Sequence, residues 1–384
     1  MIDVPNPRAD VTALVLSGGG ARAAYQVGVL VAIGERAGPD FRFPVLTGVS
    51  AGAINAAFLA STQQPFAVAA RSIRRAWLRL SIEQVFRGGF PSLTGSAARW
   101  LWMLGSGGTT PGFEVKGLLD TAPLRAYLDR VIEPHGIAAN LAAGRLQALA
   151  LSTTSYSTGR TVTFVECGPK IETWERAGRH ATRANITVDH VMASSALPLI
   201  FPAAPIDGDH YGDGSVRQST PLAPAIHLGA NRLLAISVRY RRTAAEAAKS
   251  QVPGYPPPAQ VMGMLMNAVF LDFLDADIER VERVNELLGF LPPGTPAPGG
   301  LRPIKLLVLR PSRDLGKLSA DLGKHLPRTL RILLRGLGSN RLSSPDFLSY
   351  LLFERPYIER LLELGYEDTV AKWDEVERFL GVVD

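Results

Sequence analysis

The chain has 384 residues, 46% hydrophobic and 20% charged, with a net charge of +6. That is ordinary globular composition, long enough for one large core or two domains. A single cysteine, Cys167, rules out an internal disulfide, no apolar run is long enough to span a bilayer, and the mild positive excess does not by itself imply nucleic acid.

The first ten residues hold no apolar signal core, so no secretory signal is expected and the protein reads as cytoplasmic. Residues 11–16 are short, apolar and closed by glycines, which predicts a buried strand. Ser17-Gly18-Gly19-Gly20-Ala21-Arg22 is a glycine-rich turn, and residues 23–35 predict a helix with Tyr25, Val29, Leu30 and Ile33 as its apolar positions. A second apolar run, Phe43-Pro44-Val45-Leu46, leads into Gly48-Val49-Ser50-Ala51-Gly52, and residues 51–60 read as a second helix. A serine on a sharp strand-to-helix turn has its hydroxyl pushed out of the fold, and small neighbours allow the bend. Ser50 is therefore a candidate nucleophile for acyl transfer, although the pentapeptide alone is weak evidence in a chain with 37 glycines.

Residues 62–145 read as mostly helical, with a Gly-, Ser- and Thr-rich stretch at 86–117 around Trp100-Leu101-Trp102-Met103-Leu104. That cluster has the character of a lid, a membrane anchor or a core-facing helix. Strand patterns return at 146–154, 160–165, 231–238 and 304–309. A proline-rich linker at 252–258 precedes a long amphipathic stretch, 260–288, in which Met262, Met264 and Met266 suit an irregular apolar surface such as an acyl-chain tunnel but read first as core packing. The remainder is largely helical. Within 324–335, Arg328, Arg331 and Arg335 share one helical face, the pattern of a surface helix and equally of an interfacial basic helix. Strands alternating with helices argue for a mostly parallel sheet covered on both faces, a three-layer α/β/α sandwich.

A nucleophilic serine needs a base. None of the six histidines, His135, His180, His190, His210, His227 and His325, sits in an evident motif. Aspartates stand instead in a glycine-rich loop, Asp207-Gly208-Asp209-His210-Tyr211-Gly212-Asp213-Gly214. A carboxylate in reach of Ser50 accepts its proton without an intervening histidine.

Four blocks in this order carry a resemblance: Gly18 to Arg22, Gly48 to Gly52, Ala193-Ser194-Ser195-Ala196-Leu197-Pro198, and Asp213-Gly214. Over roughly residues 11–240 the chain resembles the bacterial patatin-like phospholipases. The resemblance implies a Ser50–Asp213 dyad and an oxyanion hole from Gly18, Gly19, Gly20 and Ala21 of the glycine loop, with Ala51. It also implies a phospholipid or other acylglycerol as substrate, hydrolysed through an acyl-enzyme. No metal or cofactor and no nucleic acid enters this reading, and contact with a membrane would be peripheral. Arg22 adds positive charge near the loop or pairs with a surface carboxylate. The chain departs from the family pattern at Ala23 and Ser215, and Asp207-Gly208 repeats the downstream dipeptide; the residues after Asp213 favour Asp213.

The expected organisation is a patatin-like catalytic α/β domain at 1–240, with the insertion at about 62–145. A mostly helical extension at 241–384 packs on it and carries one further strand. Three alternatives remain open at this level. A dinucleotide fingerprint fits Gly18, Gly20 and Ala23, but the second strand ends in Ser50 where an acidic residue is required. A Ser-His-Asp hydrolase would place several strands before the elbow and a histidine near the chain end. The last alternative is a non-catalytic membrane-surface or scaffold protein on the same fold.

Overall fold

The computed structural model describes residues 10–87, 117–133, 135–248, 255–292, 295–323 and 345–382, with positions 95, 98, 102, 105, 326 and 331. Its strands are β1 (Thr12–Leu16), β2 (Val45–Val49), β3 (Ala148–Ser155), β4 (Thr161–Cys167), β5 (Glu175–Arg176), β6 (Arg179–Arg183), β7 (Ala204–Ile206), β8 (Asp209–Asp213), β9 (Arg232–Ile236) and β10 (Lys305–Leu309). They form one sheet in the order β10-β9-β1-β2-β3-β4-β6-β5, with β8 pairing with both β3 and β7. From β10 through β9, β1 and β2 to β3 every pair is parallel, and β4 turns antiparallel to β3.

Along β1, Leu14 and Leu16 enter the apolar cluster on one face, while Ala13 and Val15 enter that on the other. Burial of both faces is why this strand reads as an unbroken apolar run. The first cluster includes side chains of α1 (Ala24–Arg36), α2 (Ala51–Ser61) and α3 (Phe66–Arg79). Leu274, Ile278 and Val281 of the helix Asp272–Gly289 cover the second face, with Leu222, Ala225 and Leu228. The result is a three-layer α/β/α sandwich with a mostly parallel sheet.

The C-terminal residues are built into this core. β10 extends the sheet beside β9, and the helix Arg355–Ala371 packs on α1. Two glycines permit that crossing: a Cβ on Gly28 would stand 2.1 Å from the Leu362 carbonyl oxygen, and one on Gly365 2.1 Å from the Tyr25 carbonyl oxygen.

Several expectations need correction. The stretch 260–288 is two helices, Pro258–Phe270 and Asp272–Gly289, broken at Leu271. Met266 is buried, but Met262 and Met264 are 41% and 68% exposed, so the helix turns that side outward instead of packing it in the core. The aspartate-rich segment is no loop: β7 and β8 form a hairpin around Asp207-Gly208, whose φ values of 49° and 83° are those of a tight two-residue turn. Trp102 is exposed, whereas Trp100, Leu101, Met103 and Leu104 lie outside the described residues, as does 324–335 apart from Leu326 and Arg331.

Candidate active site

Strand register sets Ser50 beside the glycine loop. Leu16 of β1 pairs with Gly48 of β2, so the residues two further along, Gly18 and Ser50, leave the sheet side by side. A Cβ on Gly18 would lie 3.1 Å from the Ser50 Cβ and 2.7 Å from the Ser215 hydroxyl, which leaves room there only for hydrogen. Ser50 precedes α2 with φ 55° and ψ −132°. A non-glycine residue holds such a conformation at a cost of about 1–3 kcal/mol and only where its surroundings fix it.

β3 makes the second alignment. Val49 pairs with Ser152, and Asp213 pairs with the next residue, Thr153. β8 thus takes up the flank of β3 where β2 leaves it, and Asp213 ends at the spot where Ser50 begins α2. The Asp213 amide donates to the Ala196 carbonyl at 2.9 Å, and the Thr154 hydroxyl donates to the Asp213 carbonyl at 2.9 Å.

Two serines hold the elbow itself. The Ser50 amide donates to Ser194 Oγ at 3.1 Å, and Ser194 Oγ donates onward to the Ser152 carbonyl at 2.7 Å. Ser195 Oγ donates to the Ser50 carbonyl at 3.1 Å. Both ends of the strained residue are therefore pinned by neighbouring side chains. The sequence marked Ser194 and Ser195 only as part of a matching block. Their bonds to distant backbone atoms leave no local signal.

Asp213 is wholly buried. Its Oδ1 accepts the Ser215 amide at 2.9 Å, and its Oδ2 makes no hydrogen bond of full geometry. Burial pushes the carboxyl up to about 6, while the Ser50 hydroxyl and the Ser215 amide and hydroxyl pull it the other way. The Ser50 hydroxyl is thus near enough to favour the carboxylate without closing a good hydrogen bond, as is common in unliganded sites. Asp207 and Asp209 stand away from it. The first forms the hairpin turn, and the second accepts the Ser155 hydroxyl at 2.8 Å.

The glycine loop enters a 3-10 turn, Gly20–Ala23, just as Ser50 enters α2. First-turn N–H groups have no partner inside their helix, and Gly20 and Ala51, at the starts of the 3-10 turn and of α2, line the same pocket as Ser50. Gly20 has φ 56°, and a Cβ there would meet the Tyr350 carbonyl oxygen at 2.3 Å.

A family model for patatin-like phospholipases matches residues 14–226, more than half the chain and every element of this site so far named except Tyr350. The chain belongs to the patatin-like phospholipase family. Among solved structures, VipD from Legionella pneumophila is similar at 12% identity, over 96% of this chain and 67% of that one, with a TM-score of 0.35. Human GIVD cytosolic phospholipase A2 in complex with methyl gamma-linolenyl fluorophosphonate is similar at 14% identity, over 97% of this chain and 59% of that one, with a TM-score of 0.43. No curated protein gives a significant match.

In this patatin-like chain an apolar pocket of about 660 Å³, counted to its mouth, opens at Ser50. Ile54 and Phe58 of α2, Ile73 and Trp77 of α3, Leu124 and Leu128 of the helix Ala122–Val131, and Tyr350 and Phe353 of the tail line it. None of the five described histidines lines it, and His325 lies outside the described residues. His190 caps its own helix and His227 stacks on Trp174. Among the described residues no group of three or more His, Cys, Asp or Glu side chains is placed to hold a metal.

Arg22 is not at the surface. Its guanidinium is buried, bonded to Asp346, Ser349 and Asn267, and lies 4.3 Å from the centre of the Tyr350 ring. The sequence placed this charge near the loop or on a surface carboxylate. Both hold in part: Arg22 stays beside the loop and pairs with the half-buried Asp346, and in doing so it clamps the C-terminal helix Pro345–Leu351 against the loop.

Proposed function

We propose that the chain is a serine acyl hydrolase that cleaves the ester bonds of phospholipids or other acylglycerols. One observation carries this reading: a strained, pinned Ser50 meets a buried carboxyl, Asp213, at the mouth of an apolar pocket. The Ser50 hydroxyl attacks the ester carbonyl and its proton passes to Asp213. The tetrahedral oxyanion is held by N–H groups from Gly18, Gly19, Gly20 and Ala21 of the loop and from Ala51, each such donor worth about 3–4 kcal/mol. Asp213 returns the proton to the departing alcohol. Water then repeats the sequence on the acyl-Ser50 ester, and the acyl chain lies in the pocket throughout.

A carboxyl titrating at about 6 is mainly ionised at neutral pH yet basic enough to take a proton as attack proceeds. The absence of any described histidine from the pocket favours this dyad over a triad. The test is hydrolysis of a lipid panel by the native chain beside Ser50→Ala and Asp213→Asn. Each substitution is expected to lower kcat at least about a thousandfold. Full activity in Asp213→Asn would remove Asp213 as the base. Full activity in Ser50→Ala would remove the acyl-enzyme.

Among the described residues no helix is long and apolar enough to cross a membrane. On this reading the protein meets its lipid from outside the bilayer.

A further inference from the structure

Asp213 and Ser215 stand two residues apart in a fixed arrangement. The Ser215 amide donates to Asp213 Oδ1 at 2.9 Å and so caps the 3-10 turn Gly214–Val216. That leaves Oδ2 as the free oxygen of the proposed base. Ser215 is 5% exposed, and its hydroxyl oxygen, like Asp213 Oδ2, is buried with no hydrogen bond of full geometry. One atom is a donor and the other an acceptor, and each is costly to leave unmatched.

Gly18 brings the two serines to one place. A Cβ there would stand 2.7 Å from Ser215 Oγ and 3.1 Å from Ser50 Cβ, so both side chains close on the same bare Cα. Both hydroxyls also lie near enough to Asp213 to favour its charged form. Thr47 Oγ1 and Gln218 Oε1 are unmatched as well, and they line one small cavity with Ser215. They compete for the Ser215 proton, but a carboxylate is the stronger acceptor, its hydrogen bonds being about twice as strong as neutral ones. Position 215 is one of those at which the chain departs from the family pattern, so this hydroxyl is an addition to the common site.

We propose that Ser215 is a positioning residue for the dyad: its hydroxyl donates to Asp213 Oδ2 and holds that oxygen towards Ser50. The inference deepens the acyl-hydrolase reading and rests on it. Ser215 keeps its own proton throughout. Its bond is strongest to the carboxylate and weakens once Asp213 has taken the Ser50 proton, so it favours the ionised base between turnovers.

The surroundings make this effect readable in a pH profile. The groups that bear on the Asp213 charge besides burial are Ser50 and Ser215, neither of them ionised. On the same strand, Asp209 is bonded to the Ser155 hydroxyl and Tyr211 packs edge-on against Phe164. From the end of β3, Tyr156 responds to Asp213, and burial together with that charge raises it above its ordinary 10, so it stays neutral over the range measured.

The test compares the full-length native chain with Ser215→Ala and Ser215→Thr. Values of kcat/KM for a soluble chromogenic ester are measured from about pH 5 to about pH 9. Ser215→Ala is expected to move the midpoint of the rise up by about one pH unit, a tenfold loss on the acid side that shrinks to under about threefold on the plateau. Ser215→Thr keeps the donor and should bring the midpoint back towards the native value. A merely structural role would lower kcat at every pH with the midpoint in place, and that result overturns the proposal. Carbon-13 NMR of the Asp213 carboxyl, identified by its absence in Asp213→Asn, reads the same titration without substrate. It should also move up by about one pH unit in Ser215→Ala. An unmoved carboxyl titration assigns the hydroxyl to Gln218 Oε1 or Thr47 Oγ1 and overturns the proposal. If Ser50→Ala and Asp213→Asn keep full activity, the acyl-hydrolase reading fails by itself, and the NMR titration still decides whether Ser215 bonds Asp213.

Discussion

The Arg22 guanidinium lies 3.0 Å from the Asp346 carboxylate, across 324 residues of sequence. This pair fastens the start of the fold to its tail at the place where catalysis is proposed. Arg22 follows the glycine loop directly, and Asp346 opens the helix whose Tyr350 braces Gly20 with its carbonyl and lines the pocket with its side chain. The C-terminal region therefore completes the pocket as well as covering the sheet.

The two halves of this pair should not be equal in worth. Arg22→Met removes a nearly buried cation and leaves Asp346, Ser349 and Asn267 without their common partner. A loss of about 3–5 kcal/mol is expected. Asp346→Asn leaves the guanidinium its bonds to Ser349, Asn267 and the Asp346 carbonyl, and should cost about 1–2 kcal/mol. Urea unfolding measures both. Equal costs would mean that Arg22 acts through Asp346 alone.

Asp213 should set opposite pH dependences for stability and activity. Its carboxyl titrates at about 6 in the fold against an ordinary 3.8. The native state thus holds this proton more tightly than the unfolded chain does. The resulting contribution to stability is fully present below pH 3.8 and is lost as pH rises through about 6. A base works only when ionised, so kcat/KM should rise with pH and level off above about 6. Asp213→Asn keeps an acceptor for the Ser215 amide and carries no charge. Well above pH 6 it should be inactive yet more stable than the native chain, by up to about 3 kcal/mol. Below pH 3.8 that advantage should vanish. A variant less stable than the native chain at high pH would show that Asp213 is better satisfied as a carboxylate than its burial implies.

Ser50 should hold measurable strain. Ser50→Ala and Ser50→Gly both delete the proposed nucleophile, but only glycine is at ease at φ 55°. After glycine's own entropic cost, Ser50→Gly is expected to exceed Ser50→Ala in stability by about 1 kcal/mol. Equal melting of the two would mean that the bonds from Ser194 and Ser195, rather than the side chain's conformation, define the elbow.

How much was legible in the sequence follows from how local each signal is. The elbow and the glycine loop each need particular residues within five or six positions; β1 is apolar from Ala13 to Leu16, and β2 follows the apolar run Phe43-Pro44-Val45-Leu46. Asp213 was legible as a residue but not as a strand end. Asp-His-Tyr-Gly-Asp has no apolar pattern, because β8 is fixed by its pairing with β3 and by the Asp207-Gly208 turn. Arg22 was assigned no partner because nothing near position 22 points to position 346. The outward turn of Met262 and Met264 was missed for the converse reason: an apolar helix reads as core whichever side faces water.

Trp77 should govern which acyl chains the pocket accepts. It is 4% exposed, and its ring lies 6.3 Å from that of Phe353 at 25°, so α3 and the tail meet inside the pocket. Its indole N–H donates to Asn55 Oδ1 at 2.9 Å, the Asn55 amide donates to Gln26 at 2.9 Å, and the Gln26 amide donates to the Ser17 carbonyl at 2.7 Å. This buried relay fixes the ring and reaches the root of the glycine loop. Trp77→Phe keeps most of the wall but leaves Asn55 Oδ1 unpaired, and should cost about 1–3 kcal/mol with chain preference little changed. Trp77→Ala should cost about 3–5 kcal/mol and open the pocket. The ratio of kcat/KM for long against short acyl esters should then rise, because added methylenes find room that the indole held. If that ratio stays fixed while stability falls, Trp77 is packing alone and the acyl chain leaves Ser50 by another path.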